Sequence, residues 1–270
     1  MQQDKSLSLQ LLSSIYQIPM KYEQSVDANI SEQEKSFRSF ISNDPALSYF
    51  LETGSMRNNS RFSREEIYKD PAFLAFISPY FQDVYVKAIF RSFDLKDTNL
   101  MSDVAVNRIL LDDAHKQQAF DQILAYLEER KAKLVSLSNK LHLGEAISLL
   151  DLSDYAGIMT IANLNYLPVE FKDFRSAYGR EIIKVVQWLV SRDFQAALNM
   201  ATDLRQLKCD PQTMHDADAL YQQLENTSQK ASAIEGISGG GDSEVSIGKI
   251  IGIIIGIIIF IIKLMLIFSH

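Results

Sequence analysis

The sequence predicts an all-α protein: a multi-helix bundle, a flexible linker and one C-terminal transmembrane helix. Three observations support this prediction: recurrent helix-start signals, apolar residues at helical spacing, and one long apolar run. Few stretches alternate with period two, so strands are not expected. We assign residues 1–230 to a helical domain, 231–246 to a Gly/Ser-rich tether and 247–268 to a transmembrane helix.

Several helix starts are marked by an Asp or Ser that is followed by proline. The first side chain can cap free backbone N–H groups, and proline fits the first helical turn. This pattern occurs at Asp44–Pro45, Asp70–Pro71, Ser78–Pro79 and Asp210–Pro211. Capping boxes, in which Glu follows Ser three residues later, begin at Ser31 and Ser63. Each of these sites is predicted to begin a helix.

Apolar periodicity between these signals predicts the helices themselves. Pro79 to Phe93 is amphipathic, and Asp113 to Lys140 is predicted to form one helix of about 40 Å. Arg180 to Arg192 is apolar on most sides, which predicts the buried central helix. Asp193 to Gln229 is predicted to form a helical hairpin with Met214 facing inward. The hairpin resembles one tetratricopeptide-type unit, but no second copy follows, so we expect the last helices of a bundle.

Composition and charge limit the classes of partner. The chain is 47% apolar and 23% charged, which is ordinary for a globular protein. Its net charge of -7 counts against nucleic acid as the main partner, because phosphate backbones favour basic surfaces. Cys209 is the one cysteine and cannot form an internal disulfide, which fits a reducing compartment.

The C-terminal apolar run is predicted to span a lipid bilayer once. From Ile250 to Phe268 the only charged residue is Lys263, and a helix over 247–268 is about 33 Å long. Met1 to Met20 lacks the apolar core of a signal peptide. We therefore expect a tail anchor, with the helical domain in the cytoplasm.

Small residues on the transmembrane helix predict helix packing. Gly248, Gly252 and Gly256 recur every four residues, which places them on one face where a second copy could approach. Lys263 falls in the same angular sector. Two interpretations stay open for this lysine: its ammonium extends to the far interface, or it lines the interior of a homo-oligomer.

The tether and the histidines do not form a recognised chemical motif. The glycines of 231–246 lack the Gly-Lys-Ser/Thr ending of a phosphate-binding loop, so no cofactor is expected. His215–Asp216 resembles the dipeptide of HD phosphohydrolases, but the only downstream Asp is Asp242 in the tether. Ser153 or Asp154 is predicted to cap a helix from Tyr155 to Leu164. No catalytic or metal-binding residue is predicted, and an enzyme is not favoured.

This layout resembles two known tail-anchored classes in part. SNARE proteins need uninterrupted heptads up to the membrane, which Pro211 and the tether exclude. Bcl-2 proteins share the bundle, linker and anchor, but their Asn-Trp-Gly-Arg motif is represented only by Tyr178–Gly179–Arg180. The leading hypothesis is an adaptor whose helical domain binds a cytoplasmic protein. The alternatives are a membrane-perturbing effector that oligomerises through its anchor, and a membrane-tethered hydrolase.

Overall fold

The computed structural model describes residues 31–44, 66–105 and 108–237 of the chain. These residues form helices and turns, and no strand occurs among them. The α-helices of this part are α1 Glu32–Asn43, α2 Pro71–Asp94, α3 Thr98–Ala105, α4 Asp113–Leu143, α5 Leu149–Ala156, α6 Ile158–Tyr166, α7 Lys172–Leu189, α8 Phe194–Leu204 and α9 Pro211–Ile237. Short 3-10 turns lie at Glu66–Lys69, Arg108–Leu110 and Val169–Phe171. The all-α prediction is confirmed for the described residues.

The described residues divide into two compact units. The first contains the described residues up to Glu129 together with Tyr166–Glu170, and the second contains Arg130–Asn165 and the described residues from Phe171 onward. In the part of the chain that the structure describes, no helix is both long and apolar enough to cross a membrane. The predicted transmembrane helix, with Gly248, Gly252, Gly256 and Lys263, lies outside the described residues. The membrane segment and the domain boundaries stay predictions.

Two of the predicted helix starts in the first unit are confirmed. Ser31 caps α1 by accepting the N–H of Glu34 at 3.1 Å, and Asp70 caps α2 by accepting the N–H of Ala72 at 2.9 Å. The second capping box, at Ser63, and Pro45 lie outside the described residues, and Asp44 follows the end of α1.

The predicted start at Ser78–Pro79 is wrong, because α2 continues through Pro79 to Asp94. Ser78 is buried and does not cap a helix. Its hydroxyl donates to the carbonyl of Leu74 at 2.5 Å and accepts the N–H of Asp112 at 2.7 Å. Proline costs a helix one internal hydrogen bond. The hydroxyl of Ser78 instead joins α2 to Asp112, the residue before α4.

An aromatic cluster forms the core between α1, the Glu66–Lys69 turn and α2. The ring of Phe73 is fully buried and meets Phe37, Phe40 and Tyr68 edge-to-face, with centroids 5.4, 5.6 and 5.9 Å away. Edge-to-face geometry is favoured because the positive ring edge meets the negative ring face.

The long helix predicted from Asp113 to Lys140 is confirmed as α4. It ends at a Schellman motif, in which the N–H of Glu145 donates to the carbonyl of Lys140 at 3.0 Å and that of Gly144 to Leu141 at 3.2 Å. Gly144 has a φ of 91°, a conformation that a side chain would strain. This motif turns the chain from α4 toward α5.

The second unit is built around α7 and the α8–α9 hairpin. The central helix begins at Lys172, well before the predicted Arg180, and its buried residues include Tyr178 and Val185. The hairpin is confirmed, with Asp210 capping α9 by accepting the N–H of Thr213 at 2.9 Å.

Two details of the hairpin differ from the sequence prediction. The buried positions of α9 are Thr213, Ala217, Leu220 and Leu224, so the buried stripe passes one residue away from Met214. Met214 is 45% exposed, and the prediction that it faces inward is wrong. The helix also extends to Ile237, into the segment predicted to be a tether.

Candidate protein-interaction surface

Four large apolar side chains stand exposed on two consecutive short helices of the second unit. Leu149 and Leu150 begin α5, and Ile158 and Met159 begin α6. Leu150 is 77% exposed and Met159 is 46% exposed. We call these four residues the α5–α6 surface. Single exposed apolar residues are common, and a run of them on neighbouring helices is a candidate for a binding site.

The corner between α5 and α6 depends on Gly157. Its N–H donates to the carbonyl of Ser153 at 3.1 Å, which closes the last turn of α5. A Cβ built on Gly157 would lie 2.6 Å from that same carbonyl oxygen, a distance that the backbone would have to relieve by moving. Only glycine therefore fits this close approach at the corner between α5 and α6.

The carbonyl groups at the end of α5 are satisfied by buried side chains. Arg130 donates from Nη2 to the carbonyl of Asp154 at 2.7 Å, and Thr160 donates to the same oxygen at 2.9 Å. Tyr178 donates its hydroxyl to the carbonyl of Tyr155 at 2.8 Å, and burial raises the pKa of Tyr178. A positive charge is favourable at a helix C-terminus. These bonds fix the end of α5 from inside the unit.

A carboxylate of another helix lies near the start of α6. Burial raises the pKa of Asp203, near the end of α8, and the nearby N–H of Ile158 lowers it, with a net increase. A negative charge is favourable at the N-terminal end of a helix, so Asp203 is placed to stabilise the start of α6.

The turn between α8 and α9 is clamped by side chains of α6 and α7. Asn165 donates to the carbonyl of Gln206 at 2.7 Å and accepts the N–H of Lys208 at 2.6 Å. Arg175 donates from Nε to the carbonyl of Lys208 at 2.9 Å, and burial lowers the pKa of its guanidinium. Ser176 accepts the N–H of Asp210 at 2.9 Å. The surface is therefore carried by a scaffold whose turns are hydrogen-bonded to its helices.

The carboxylate–imidazole pair of the first unit forms a helix cap. His115 Nδ1 lies 2.8 Å from Asp112 Oδ1, and the same oxygen accepts the N–H of His115 at 2.8 Å. Burial raises the pKa of Asp112, but the hydrogen bonds and charge of His115 outweigh it, so the pKa lies below its usual range. The hydroxyl of Ser78, which accepts the N–H of Asp112, donates to the carbonyl of Leu74. This geometry describes the start of α4 and not a catalytic triad.

The other histidines of the described chain do not meet acidic partners. His142 packs its ring on Trp188, with centroids 4.1 Å apart. His215 is exposed, and the following acids are used elsewhere: Asp216 accepts from Gln212 at 2.8 Å and Asp218 from Arg205 at 2.7 Å. Within the described residues no three His, Cys, Asp or Glu side chains are grouped to hold a metal.

Sequence reasoning missed the α5–α6 surface. It placed one helix from Tyr155 to Leu164 with a cap at Ser153 or Asp154, which is wrong: Ser148 caps α5 by accepting the N–H of Leu150 at 3.1 Å. The available signal was the pair Leu149–Leu150 directly after a Ser cap. No protein-family model, curated protein or solved structure matches this chain.

Proposed function

We propose that this protein is a membrane-anchored adaptor whose helical domain binds a cytoplasmic protein through the α5–α6 surface. The observation that carries the proposal is the exposure of Leu149, Leu150, Ile158 and Met159 on a corner fixed by internal hydrogen bonds. Rigid scaffolds that present apolar anchors lose less conformational entropy on binding. Attachment to a membrane adds to this by raising the local concentration of the adaptor near its partner.

The proposed anchor is tested by fractionation. Truncation after Ile237, where α9 ends, should move the protein from the membrane pellet to the soluble fraction. A full-length chain that is already soluble would contradict the anchor.

The proposed binding surface is tested by site-specific photo-cross-linking in the full-length chain. A benzophenone amino acid at Leu150 should give one discrete adduct in cells. The adduct should be lost when Met159→Ser is added and kept when Met214→Ser is added. Met214 is a matched control because it is 45% exposed, against 46% for Met159, and lies in the same unit. An adduct that both changes affect equally, or no adduct, argues against this surface.

The second candidate function is a membrane-perturbing effector, which the sequence position of Lys263 favours. A simple anchor needs no charge, whereas an aqueous interior formed by packing at Gly248, Gly252 and Gly256 would solvate the lysine. Gly252→Leu with Gly256→Leu should block close helix approach. Dye leakage from vesicles on forced clustering, lost in this variant and in Lys263→Leu, would favour the effector. Leakage that persists in all of them would exclude it.

A further inference from the structure

One end of the second unit brings together the ends of two helices. The imidazole of His142, in the last turn of α4, packs on the indole of Trp188, near the end of α7, with ring centroids 4.1 Å apart. Just beyond these helices, Arg192 donates from Nη1 to the carbonyl of Glu145 at 2.6 Å. Leu143, which follows His142, is 72% exposed, and Trp188 is partly exposed. We call His142, Leu143, Trp188 and Arg192 the Trp188 end.

Helix α9 leads the chain toward this same end. Its start lies beside the first half of α7, since a Cβ built on Gly179 would come within 3.1 Å of the Thr213 side chain. The preceding helix α8 runs back from the end of α7, and α9 packs against both helices, so the hairpin directs α9 toward the end of α7. Leu224 is the last buried residue in the part of α9 whose side chains the structure describes. The helix continues from there to Ile237, about 20 Å farther.

The length of chain between α9 and the predicted transmembrane helix keeps the Trp188 end close to the bilayer. Residues 238–246 join the two helices. A chain of this length spans at most about 30 Å when it is fully extended, which is more than the length of α9 beyond Leu224. The connection therefore allows the Trp188 end to reach the lipid surface. Confinement at this distance raises the effective concentration of the bilayer, so a weak contact is enough.

The side chains of the Trp188 end suit a lipid interface. Tryptophan is enriched where hydrocarbon meets headgroups, because its ring is apolar and its N–H is polar. The charges at this end do not select anionic lipid, since Lys140 and Arg192 are offset by Glu145 and Asp193. The contact is therefore apolar in origin and should form on zwitterionic phosphatidylcholine.

We infer that the Trp188 end rests on the bilayer that the anchor crosses, with Leu143 and the indole of Trp188 in the interface. This inference rests on the membrane anchor of the proposed function. It also places the start of the α5–α6 surface near the bilayer, because Leu149 is separated from Leu143 by at most about 20 Å of chain. The partner of that surface is then a protein held at the same membrane.

Trp188 is the one tryptophan of the chain, so its emission tests the contact directly. The full-length chain is inserted into phosphatidylcholine vesicles whose acyl chains carry bromine, which quenches indole emission at short range. Trp188 should lose emission when the bromine lies near the headgroup, and lose less when it lies near the chain ends, because interfacial side chains stay at the headgroup boundary. Leu143→Ser should reduce this quenching. At an exposed position the substitution should leave the fold intact.

The matched control moves the tryptophan to the other end of the same unit. In Trp188→Phe combined with Met214→Trp, the probe lies at the start of α9, where the native side chain is 45% exposed, and bromine should leave its emission unchanged. Equal quenching of both probes, no quenching of Trp188, or unchanged quenching in Leu143→Ser would overturn the inference. A chain that does not sediment with the vesicles would contradict the anchor and this inference together. A sedimenting chain with unquenched Trp188 would contradict this inference alone.

Discussion

Tyr85 in the first unit and Tyr178 in the second are both buried, and burial raises the pKa of both hydroxyls. The two hydroxyls differ in their hydrogen-bond partners. The hydroxyl of Tyr85 has no hydrogen-bond partner among the described residues, although the Arg108–Glu170 ion pair, 2.7 Å between its atoms, lies close enough to act on it electrostatically. The hydroxyl of Tyr178 donates to the carbonyl of Tyr155. Tyr85 thus fills space in the first unit, whereas Tyr178 in the second unit also binds a main-chain carbonyl.

A similar difference separates the aromatic cluster around Phe73 in the first unit from the polar contacts between helices and turns in the second. Around Phe73 the first unit packs ring edges against ring faces, an interaction that tolerates small shifts of each ring. The second unit joins helices and turns through Asn165, Arg175 and Arg130, each bonded to a main-chain carbonyl. Directional bonds of this kind fix orientation as well as contact. The four exposed side chains of the proposed binding surface lie in the unit with the second arrangement.

Phe73→Ala should reduce the free energy of unfolding more than the other substitutions, and the loss should fall on the first unit. Removal of a fully buried ring that three others contact leaves a cavity, and we expect a loss of about 3–5 kcal/mol of unfolding free energy. Hydrogen exchange on the full-length chain should rise in α1 and α2. If peptides of α8 and α9 lose protection equally, the two units do not unfold independently, and the comparison between them fails.

Two Tyr→Phe substitutions, one in each unit, test whether the two tyrosine hydroxyls contribute differently to stability. Tyr178→Phe leaves the carbonyl of Tyr155 without its buried donor and should cost about 1–2 kcal/mol. Tyr85→Phe removes a buried hydroxyl that has no such bond, so stability should stay the same or rise. Denaturant titration of both variants measures the difference. Equal costs would show that the hydroxyl of Tyr85 is satisfied in solution, for example by water.

Local signals predicted the parts of the fold that depend on neighbours in the sequence. The cap at Asp70, the long helix α4 and the hairpin around Asp210 follow from side chains within four residues of each other. Ser78 shows the same kind of capping pattern in the sequence, but its hydroxyl accepts the N–H of Asp112, which is 34 residues away. A cap pattern does not reveal whether its hydroxyl is used locally or across the fold.

The candidate site could not be predicted for a related reason. Exposure of Leu150 depends on which neighbouring helix covers α5, and the corner at Gly157 depends on Arg130 and Tyr178, both distant in the sequence. Apolar periodicity alone assigns such leucines to the core. The sequence did contain Leu149–Leu150 after a Ser, but nothing in that pattern separates a covered pair from an exposed one.

The carboxylate of Asp210 should make the stability of the second unit decrease at acidic pH. Hydrogen bonds from the hydroxyl and N–H of Thr213 hold the pKa of Asp210 well below its usual range. The ionised form is therefore favoured by folding, and its contribution is present above the unfolded pKa near 4 and lost as pH falls. Asp210→Ala should cost about 1 kcal/mol at pH 7 as a lost cap.

The variant Asp210→Asn separates the cap from the charge, since it keeps an acceptor that does not titrate. Denaturant titrations should show wild type more stable than Asp210→Asn at neutral pH, with the gap closing as pH falls below about 4. A gap that stays constant with pH would show that the charge of Asp210 contributes nothing to folding.

The smallest expected effect is a change in the reactivity of the Cys209 thiol. This residue lies in the clamped turn between Leu207 and Asp210. Burial and the neighbouring Asp210 raise its pKa to about 11, although Arg175 and Arg180 act in the opposite direction. Only the thiolate reacts with alkylating agents, so at neutral pH the folded chain should contain about a hundredfold less reactive thiolate than an ordinary thiol.

Iodoacetamide should label native Cys209 slowly, with a rate that rises toward pH 11, and should label it quickly in guanidinium. A Leu95→Cys, Cys209→Ser chain supplies an exposed thiol in the first unit, and it should react at the same rate folded and unfolded. If native Cys209 reacts as fast as this control, the clamped turn does not raise the pKa of its thiol.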